Sequence, residues 1–308
     1  MDVFVVGATG ELGRPAVARM VKDGHHVRGV ARSDAKATLL RDLGAEPVEV
    51  DVFDREAMST AVKGSDAVLH LATHIPPVRE MRRPGAWELN DRLRSELSPM
   101  LVDLALEHGV GTVVAESITF PYPDRGDAWI DETVPVDATF PSVTDLERAV
   151  ERFRESGGRG VVLRFSQFYG PTAESTDAAL AYAKWRLAMS LGSPRGYQSA
   201  IHTDDAGEAV AAALDAPAGV YNVSDDEPLT RRDNVDAFAA AFGCKHLWIA
   251  PSWLARVVGG SSSAALARSH RIANAKFKDA TGWAPVYPSA REGWTATAAA
   301  RKERVGGA

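Results

Sequence analysis

The chain opens on Val3-Phe4-Val5-Val6-Gly7-Ala8-Thr9-Gly10-Glu11-Leu12-Gly13, and no other stretch limits its fold as strongly. Four apolar residues predict a short buried strand, and glycines at i, i+3 and i+6 lead into a helix beginning near Arg14. Each glycine meets a separate steric demand: a turn too tight for a Cβ, the approach of backbone N–H groups to a pyrophosphate, and close packing of helix on strand. The positive end of the helix dipole then faces the phosphates. Thr9, Glu11 and Leu12 belong to the same candidate dinucleotide loop as Gly7, Gly10 and Gly13. The segment that follows is amphipathic, with Val17, Met20 and Val21 on one face, and leads to a second strand, as the motif requires.

That second strand, His26 to Ala31, delivers Arg32 and Ser33 to its carboxyl end. The residue there meets the adenosine ribose: a carboxylate accepts from the 2′-hydroxyl of NAD, whereas a guanidinium pairs with the 2′-phosphate of NADP. Arg32, with Ser33 and Arg14, therefore favours NADP over NAD, although an exposed arginine without a ligand fits the same sequence. A third strand, Glu46 to Val50, ends in Asp51-Val52. Asp51 is placed to accept from the adenine amino group, and Asp54 to cap a helix over Arg55 to Lys63. The fourth strand, Ala67 to Leu71, runs into Ala72-Thr73, small residues that let the backbone lie against the cofactor. His70 alternates within that apolar strand and reads as a core histidine sooner than as a catalyst.

A long helix is expected over Trp87 to His108, carrying Leu93, Leu97, Leu101, Leu104 and Leu106. A fifth strand, Thr112 to Ala115, leads into Glu116-Ser117. A polar loop to about Ser142, a helix to about Ser156 and a strand Val161 to Arg164 follow, with Ser166 just beyond as a further cofactor candidate. This alternation implies an α/β fold, a Rossmann-like doubly wound parallel sheet, in which ligands bind beyond the carboxyl ends of the strands. Past Gly170-Pro171 regularity declines. Helices are expected over Ala178 to Met189, Ala206 to Asp215 behind Thr203-Asp204-Asp205, Arg231 to Phe242 and Ser289 to Arg301. Ile201 and Val220 to Val223 read as strands, and Gly259-Gly260-Ser261-Ser262-Ser263 as a mobile loop. The expected division is a nucleotide-binding domain over 1–170, with a return segment at about 200–225, and a smaller α+β substrate lobe over most of 171–308.

The 308 residues suffice for a full core and an appended lobe. A net charge of −6 argues against nucleic acid as a partner. No apolar run approaches the roughly 20 residues that cross a bilayer, and a strand starting at residue 3 leaves no room for a signal peptide, so a cytoplasmic location is expected. The single Cys244 excludes an internal disulfide and a cysteine metal cluster; it reads as a small buried hydrophobe.

The glycine loop, His70-Leu71-Ala72-Thr73, Asn90, Ser117, Arg164 with Tyr169-Gly170-Pro171, and Ile201-His202-Thr203-Asp204-Asp205 together resemble the extended short-chain dehydrogenase/reductase family. Ser269-His270-Arg271 and Gly282-Trp283-Ala284-Pro285 extend the likeness over nearly the whole chain. The resemblance implies a nicotinamide cofactor, a C-terminal substrate domain, and a homodimer built through the helices at Trp87 to His108 and Val143 to Ser156. It also implies a catalytic serine, which Ser117 matches, and a Tyr-x-x-x-Lys pair on the helix after the polar loop.

Here the sequence departs from the family. Alignment on Ser142 and Glu147 puts Thr139 and Val143 in the tyrosine and lysine positions. None of Tyr122, Tyr169, Tyr182, Tyr197, Tyr221 and Tyr287 has a lysine four residues on, and no lysine occurs between Gly64 and Ala183. Three readings follow. The protein is a reductase of a small organic substrate, with Ser117 on the substrate oxygen and Tyr122 as a proton donor whose unperturbed pKa of about 10 would let it give a proton but rarely take one; Tyr122, between Pro121 and Pro123, equally reads as an aromatic that pins a loop. Alternatively, acidic loop groups such as Glu116, Asp124, Asp131, Glu132 and Asp145, or His74, carry a non-redox isomerisation or elimination. Or the chain binds NADP(H) without turnover. No metal site is expected on any of them.

Overall fold

The computed structural model describes residues 1–76, 80, 83–251, 253 and 265–306; the Gly259 to Ser263 cluster lies outside them. In chain order the first elements are β1 (Asp2–Val6), α1 (Gly13–Lys22), β2 (His26–Val30), α2 (Asp34–Asp42), β3 (Glu46–Val48), α3 (Arg55–Val62) and β4 (Ala67–His70). Then come α4 (Glu88–Arg92), a π-helical turn (Leu93–Leu97), α5 (Ser98–Glu107), β5 (Thr112–Ile118), β6 (Trp129–Ile130), α6 (Pro141–Glu155) and β7 (Arg159–Phe165). The remainder comprises β8 (Gln167–Tyr169), α7 (Glu174–Ala183), β9 (Leu187–Leu191), β10 (Tyr197–Gln198), β11 (Ala200–His202), α8 (Thr203–Ala212) and β12 (Gly219–Val223). After these lie β13 (Leu229–Thr230), α9 (Arg231–Ala241), β14 (Trp248–Ala250), β15 (Arg271–Ile272), α10 (Ala275–Thr281) and α11 (Ala290–Gly306).

Seven strands form one parallel sheet in the order β12-β7-β5-β4-β1-β2-β3. Alternation along each strand assigns the two covering layers. Val3 and Val5 of β1 join Leu69, Val114 and Leu163 beneath α1 and α8. Phe4 and Val6 join Val68, Val113 and Val162 beneath α3, α5 and α6. The strand order reverses direction on either side of β1, which opens a crevice at the carboxyl ends of β1 and β4. The doubly wound α/β expectation is thus met. Gly207 of α8 lies against Pro15 and Ala16, where a Cβ would fall 2.6 Å from the Pro15 ring, so the two helices touch backbone to backbone. No helix among the described residues is long and apolar enough to cross a membrane.

Two expected helices differ. The helix over Trp87 to His108 is broken by the π turn Leu93–Leu97, because Pro99 lacks the N–H that a continuing α-helix would direct to the Ser95 carbonyl. The helix over Ala178 to Met189 stops at Ala183, since Arg186 takes a left-handed φ of 57° and the chain then becomes β9, paired with β14. Within the expected polar loop, β6 pairs with the distant β15. At α8 the cap is the ring of His202, which accepts from the Asp204 amide at 3.2 Å, and not the three residues after it.

Candidate functional site

Gly7 leaves β1 with φ at 90°, and a Cβ there would lie 2.5 Å from the Leu71 carbonyl carbon and the Ala72 nitrogen. The loop therefore rests directly on the end of β4. A Cβ on Gly13 would overlap the Gly7 carbonyl. Gly10 is exposed, and its amide donates to Gly7 at 2.9 Å. A side chain at Gly10 would fill the space at the mouth of α1, whose first amides have no side-chain cap. This cradle fits a diphosphate.

Arg32 and Asp51 are exposed, and Ser33 caps α2 by accepting from the Lys36 amide. Asp51 accepts from the Phe53 amide at 3.0 Å and so holds its own turn. Val52 and Leu71 are core residues, with the Leu71 carbonyl and the Ala72 nitrogen against Gly7, while Thr9, Ala72 and Thr73 are half-buried. Ser166, directly past β7, is 3% exposed and its Oγ has no hydrogen-bond partner. One oxygen of Glu11 accepts from the Glu174 amide at the start of α7, and the other is buried without a partner. Burial pushes the Glu11 carboxyl up to about 7. Orphaned polar atoms at Ser166 and Glu11 are unsatisfied groups of the kind a bound nucleotide would engage.

The two expected catalytic residues lie in a buried network. Ser117 is 1% exposed and donates to Glu147 Oε1 at 2.7 Å. Arg164 grips the same carboxylate through Nε at 2.9 Å and Nη2 at 2.6 Å. Its Nη1 donates to the Tyr122 hydroxyl at 2.7 Å, and that hydroxyl donates to Asn222 Oδ1 at 2.9 Å. Tyr122 has no exposed surface, and burial raises its phenol pKa. The Tyr122 proton is directed to Asn222 and its ring is packed under the loop, the arrangement of the loop-pinning reading. The Ser117 hydrogen is likewise directed to Glu147. Thr139 accepts from Arg268, and Val143 is buried in α6.

Sequence reasoning passed over Arg94 and Asn222, and took Glu147 only as an alignment anchor. Glu116 held a usable signal: a carboxyl in the middle of an apolar strand implies a cation nearby. Burial pushes that carboxyl up to about 8, against the opposing pull of Arg94. His70, 2% exposed, is neutral at neutral pH because burial lowers it to about 4.

A depression of about 660 Å³ bordered by Asp177, Lys184, Arg186, Cys244, Lys245 and Arg301 includes no residue of this crevice.

Residues 7–217 match the family described as NAD(P)H-binding. The chain is 34% identical to the 3-diazoavenalumate denitrifying reductase of a Streptomyces species, over 95% of this chain and 99% of that one. It is 22% identical to the decarboxylating sterol-4-alpha-carboxylate 3-dehydrogenase of Dictyostelium discoideum, over 75% of this chain and 73% of that one. Human epimerase family protein SDR39U1, solved with NADPH, superposes with a TM-score of 0.80 at 20% identity, covering 97% of this chain and 99% of that one. UDP-glucuronic acid 4-epimerase from Bacillus cereus, solved with UDP-glucuronic acid and NAD, gives 0.78 at 16%, covering 99% and 100%. At these identities the two structures speak for the fold alone. The chain belongs to the extended short-chain dehydrogenase/reductase family, NAD(P)-binding and of the oxidoreductase type, as a member without the Tyr-x-x-x-Lys pair.

Proposed function

We propose that the protein is an NADPH-dependent reductase that delivers hydride to a small electrophile without protonating it, and that this electrophile is the carbon of an arenediazonium. The observation that carries the reading is the engagement of both candidate donors: the hydrogen of Ser117 goes to Glu147 and that of Tyr122 to Asn222. Reduction of a ketone leaves an alkoxide that needs an acid. Displacement of dinitrogen leaves nothing to protonate. A carbon–hydrogen bond forms, the carbon–nitrogen bond breaks with its electron pair leaving on N2, and NADPH becomes NADP+. The balance is ArN2+ + NADPH → ArH + N2 + NADP+. The relative with 34% identity is named as a denitrifying reductase of a diazo acid, which supports the same chemistry here.

The chain's own part is to hold and orient. Amides of the Gly7 to Gly13 loop receive the diphosphate, Arg32 the 2′-phosphate, and the free Ser166 hydroxyl a polar group at the nicotinamide end. Bound nicotinamide supplies the hydride. Helices α5 and α6, tied by Arg152 to Asp103 at 2.6 Å, are the surface of the proposed homodimer, and a monomeric mass by light scattering would remove that part.

The reductase reading is tested with NADPH deuterated at its hydride-donating carbon and a carboxyl-bearing benzenediazonium, against a control without protein. Expected are loss of the reduced nicotinamide absorbance, one N2 per NADPH, and deuterium on the ring carbon that bore nitrogen. Unconsumed NADPH, or hydrogen drawn from solvent at that carbon, overturns it.

A further inference from the structure

Arg94 is the second residue of the π turn, and it is 4% exposed. A guanidinium carries five N–H donors and stays charged at any ordinary pH. Among the described residues, none of these donors makes a hydrogen bond or an ion pair, and Nε is fully enclosed without a partner. An uncompensated buried charge costs several kcal/mol. Each such group calls for a partner, which an ordered water or a ligand can supply.

The neighbouring acids do not explain it. Glu116, Asp91 and Glu147 all act on Arg94 electrostatically, yet none reaches ion-pair distance. Asp91 accepts from Ser142 at 2.7 Å, and Glu147 is taken by Ser117 and Arg164. Glu116, buried and pushed up to about 8, is neutral at neutral pH. The carboxylates of Asp91 and Glu147 thus lend Arg94 charge from a distance, but each is hydrogen-bonded elsewhere and neither accepts from its guanidinium.

Arg94 also stands in the right place. It acts on His70, the last residue of β4, whose carboxyl end borders the crevice, and on Glu116 within the neighbouring β5. The turn that carries it is fastened: the Leu93 carbonyl accepts from His70 Nε2 at 2.8 Å and from Ser98 Oγ at 3.4 Å. π turns recur at functional sites because the extra residue re-aims one side chain.

We propose that Arg94 is the substrate anchor of this protein, and that its ligand is the planar carboxylate of an aromatic or unsaturated organic acid. The guanidinium fork matches two carboxylate oxygens, and one negative charge neutralises one buried positive charge. A dianionic phosphate would leave surplus negative charge beside Asp91 and Glu147. The diphosphate cradle lies at the start of α1, against the other face of the sheet from the α5 layer. This inference deepens the reductase reading, on which its assignment to the substrate rests.

Binding without turnover separates the two. Protein saturated with NADP+ is titrated by calorimetry with benzoate and cinnamate, and with benzamide and cinnamamide as uncharged twins. The acids are expected to bind at least about tenfold more tightly than the amides, the worth of one charge-assisted hydrogen bond. Arg94→Met abolishes that difference, leaves NADPH affinity within about twofold, and raises the melting temperature because an unpaired buried charge is gone. Arg94→Lys retains part of the preference. Equal binding of acid and amide by the wild type, or no binding of either acid, overturns the proposal. So does an Arg94→Met protein that melts lower or does not fold, which would make Arg94 a structural cation, and so does one that loses NADPH affinity. If the acids bind as expected while NADPH stays unconsumed in the diazonium assay, the anchor stands and the reductase chemistry falls.

Discussion

The ring of His70 donates from Nε2 to the carbonyl of Leu93, 2.8 Å away, and so ties the end of β4 to the π turn. Its Nδ1 accepts from the Ala72 amide at 3.4 Å, which requires the neutral tautomer with the proton on Nε2. Burial keeps it neutral by lowering its pKa to about 4 from the ordinary 6.5. Between those values the unfolded chain binds a proton that the folded chain refuses, so acid costs the folded state stability. Each pKa unit is worth about 1.4 kcal/mol, giving about 3 kcal/mol in all. His70→Gln keeps a donor toward Leu93 but does not titrate. Thermal melts of both proteins are expected to agree near pH 7.5, with the wild type falling progressively below the variant from pH 6.5 toward pH 4. A gap that does not change with pH would show that the ring takes up a proton as readily in the folded protein as in the unfolded chain.

Tyr122 and Glu147 answer to Arg164 in different currencies. Removing the Tyr122 hydroxyl as Tyr122→Phe deprives Arg164 and Asn222 of one neutral partner, for about 1 to 3 kcal/mol of stability. Reduction rates under saturating substrate are expected to stay within about threefold, because the hydroxyl touches no ligand. Glu147→Ala leaves a buried guanidinium unpaired and costs about 3 to 5 kcal/mol. Urea unfolding beside steady-state rates measures both. A Tyr122→Phe protein that is stable but slowed more than tenfold would return the phenol to the chemistry.

The glycine loop and the seven-strand sheet were legible because their causes are local: steric need at each glycine, and a period of two in Val3 to Val6. The site beyond was not. Ser117 meets Glu147 30 residues on, and Tyr122 meets Arg164 42 residues on, pairings that no local period records. Arg94 was hidden by the spacing of Leu93, Leu97 and Leu101, which reads as one continuous helix face. The π turn inserted there changes the phase and carries a charged side chain into the buried layer. Pro99 was the visible clue to that break.

Gly7 is fixed by its neighbours twice over. Its φ of 90° disfavours any side chain, and a Cβ would stand 2.5 Å from the Ala72 nitrogen. Gly7→Ala is expected to destabilise the fold by about 2 to 4 kcal/mol. It should also push the loop off β4 and weaken NADPH binding by more than tenfold. Denaturant melts with and without NADPH test this, since ligand added to the variant should then restore little stability. Wild-type stabilisation by NADPH in the variant would mean that loop and strand part without loss.

The proposed NADPH dependence places the choice between the two nicotinamide cofactors on Arg32. It is exposed at the end of β2, makes no hydrogen bond or ion pair among the described residues, and adjoins the Ser33 cap, where the first amides of α2 add positive potential. A 2′-phosphate set there would make charge-assisted hydrogen bonds worth about 1.5 to 3 kcal/mol, or roughly 10- to 150-fold in affinity. Arg32→Asp replaces attraction with repulsion and offers an acceptor to a free 2′-hydroxyl. NADPH should weaken by at least that factor while NADH holds or tightens, read from quenching of tryptophan fluorescence. The exposed pair is screened, so the wild-type preference for NADPH should shrink as salt rises. NADH binding as tight as NADPH in the wild type would show that Arg32 is an ordinary surface charge.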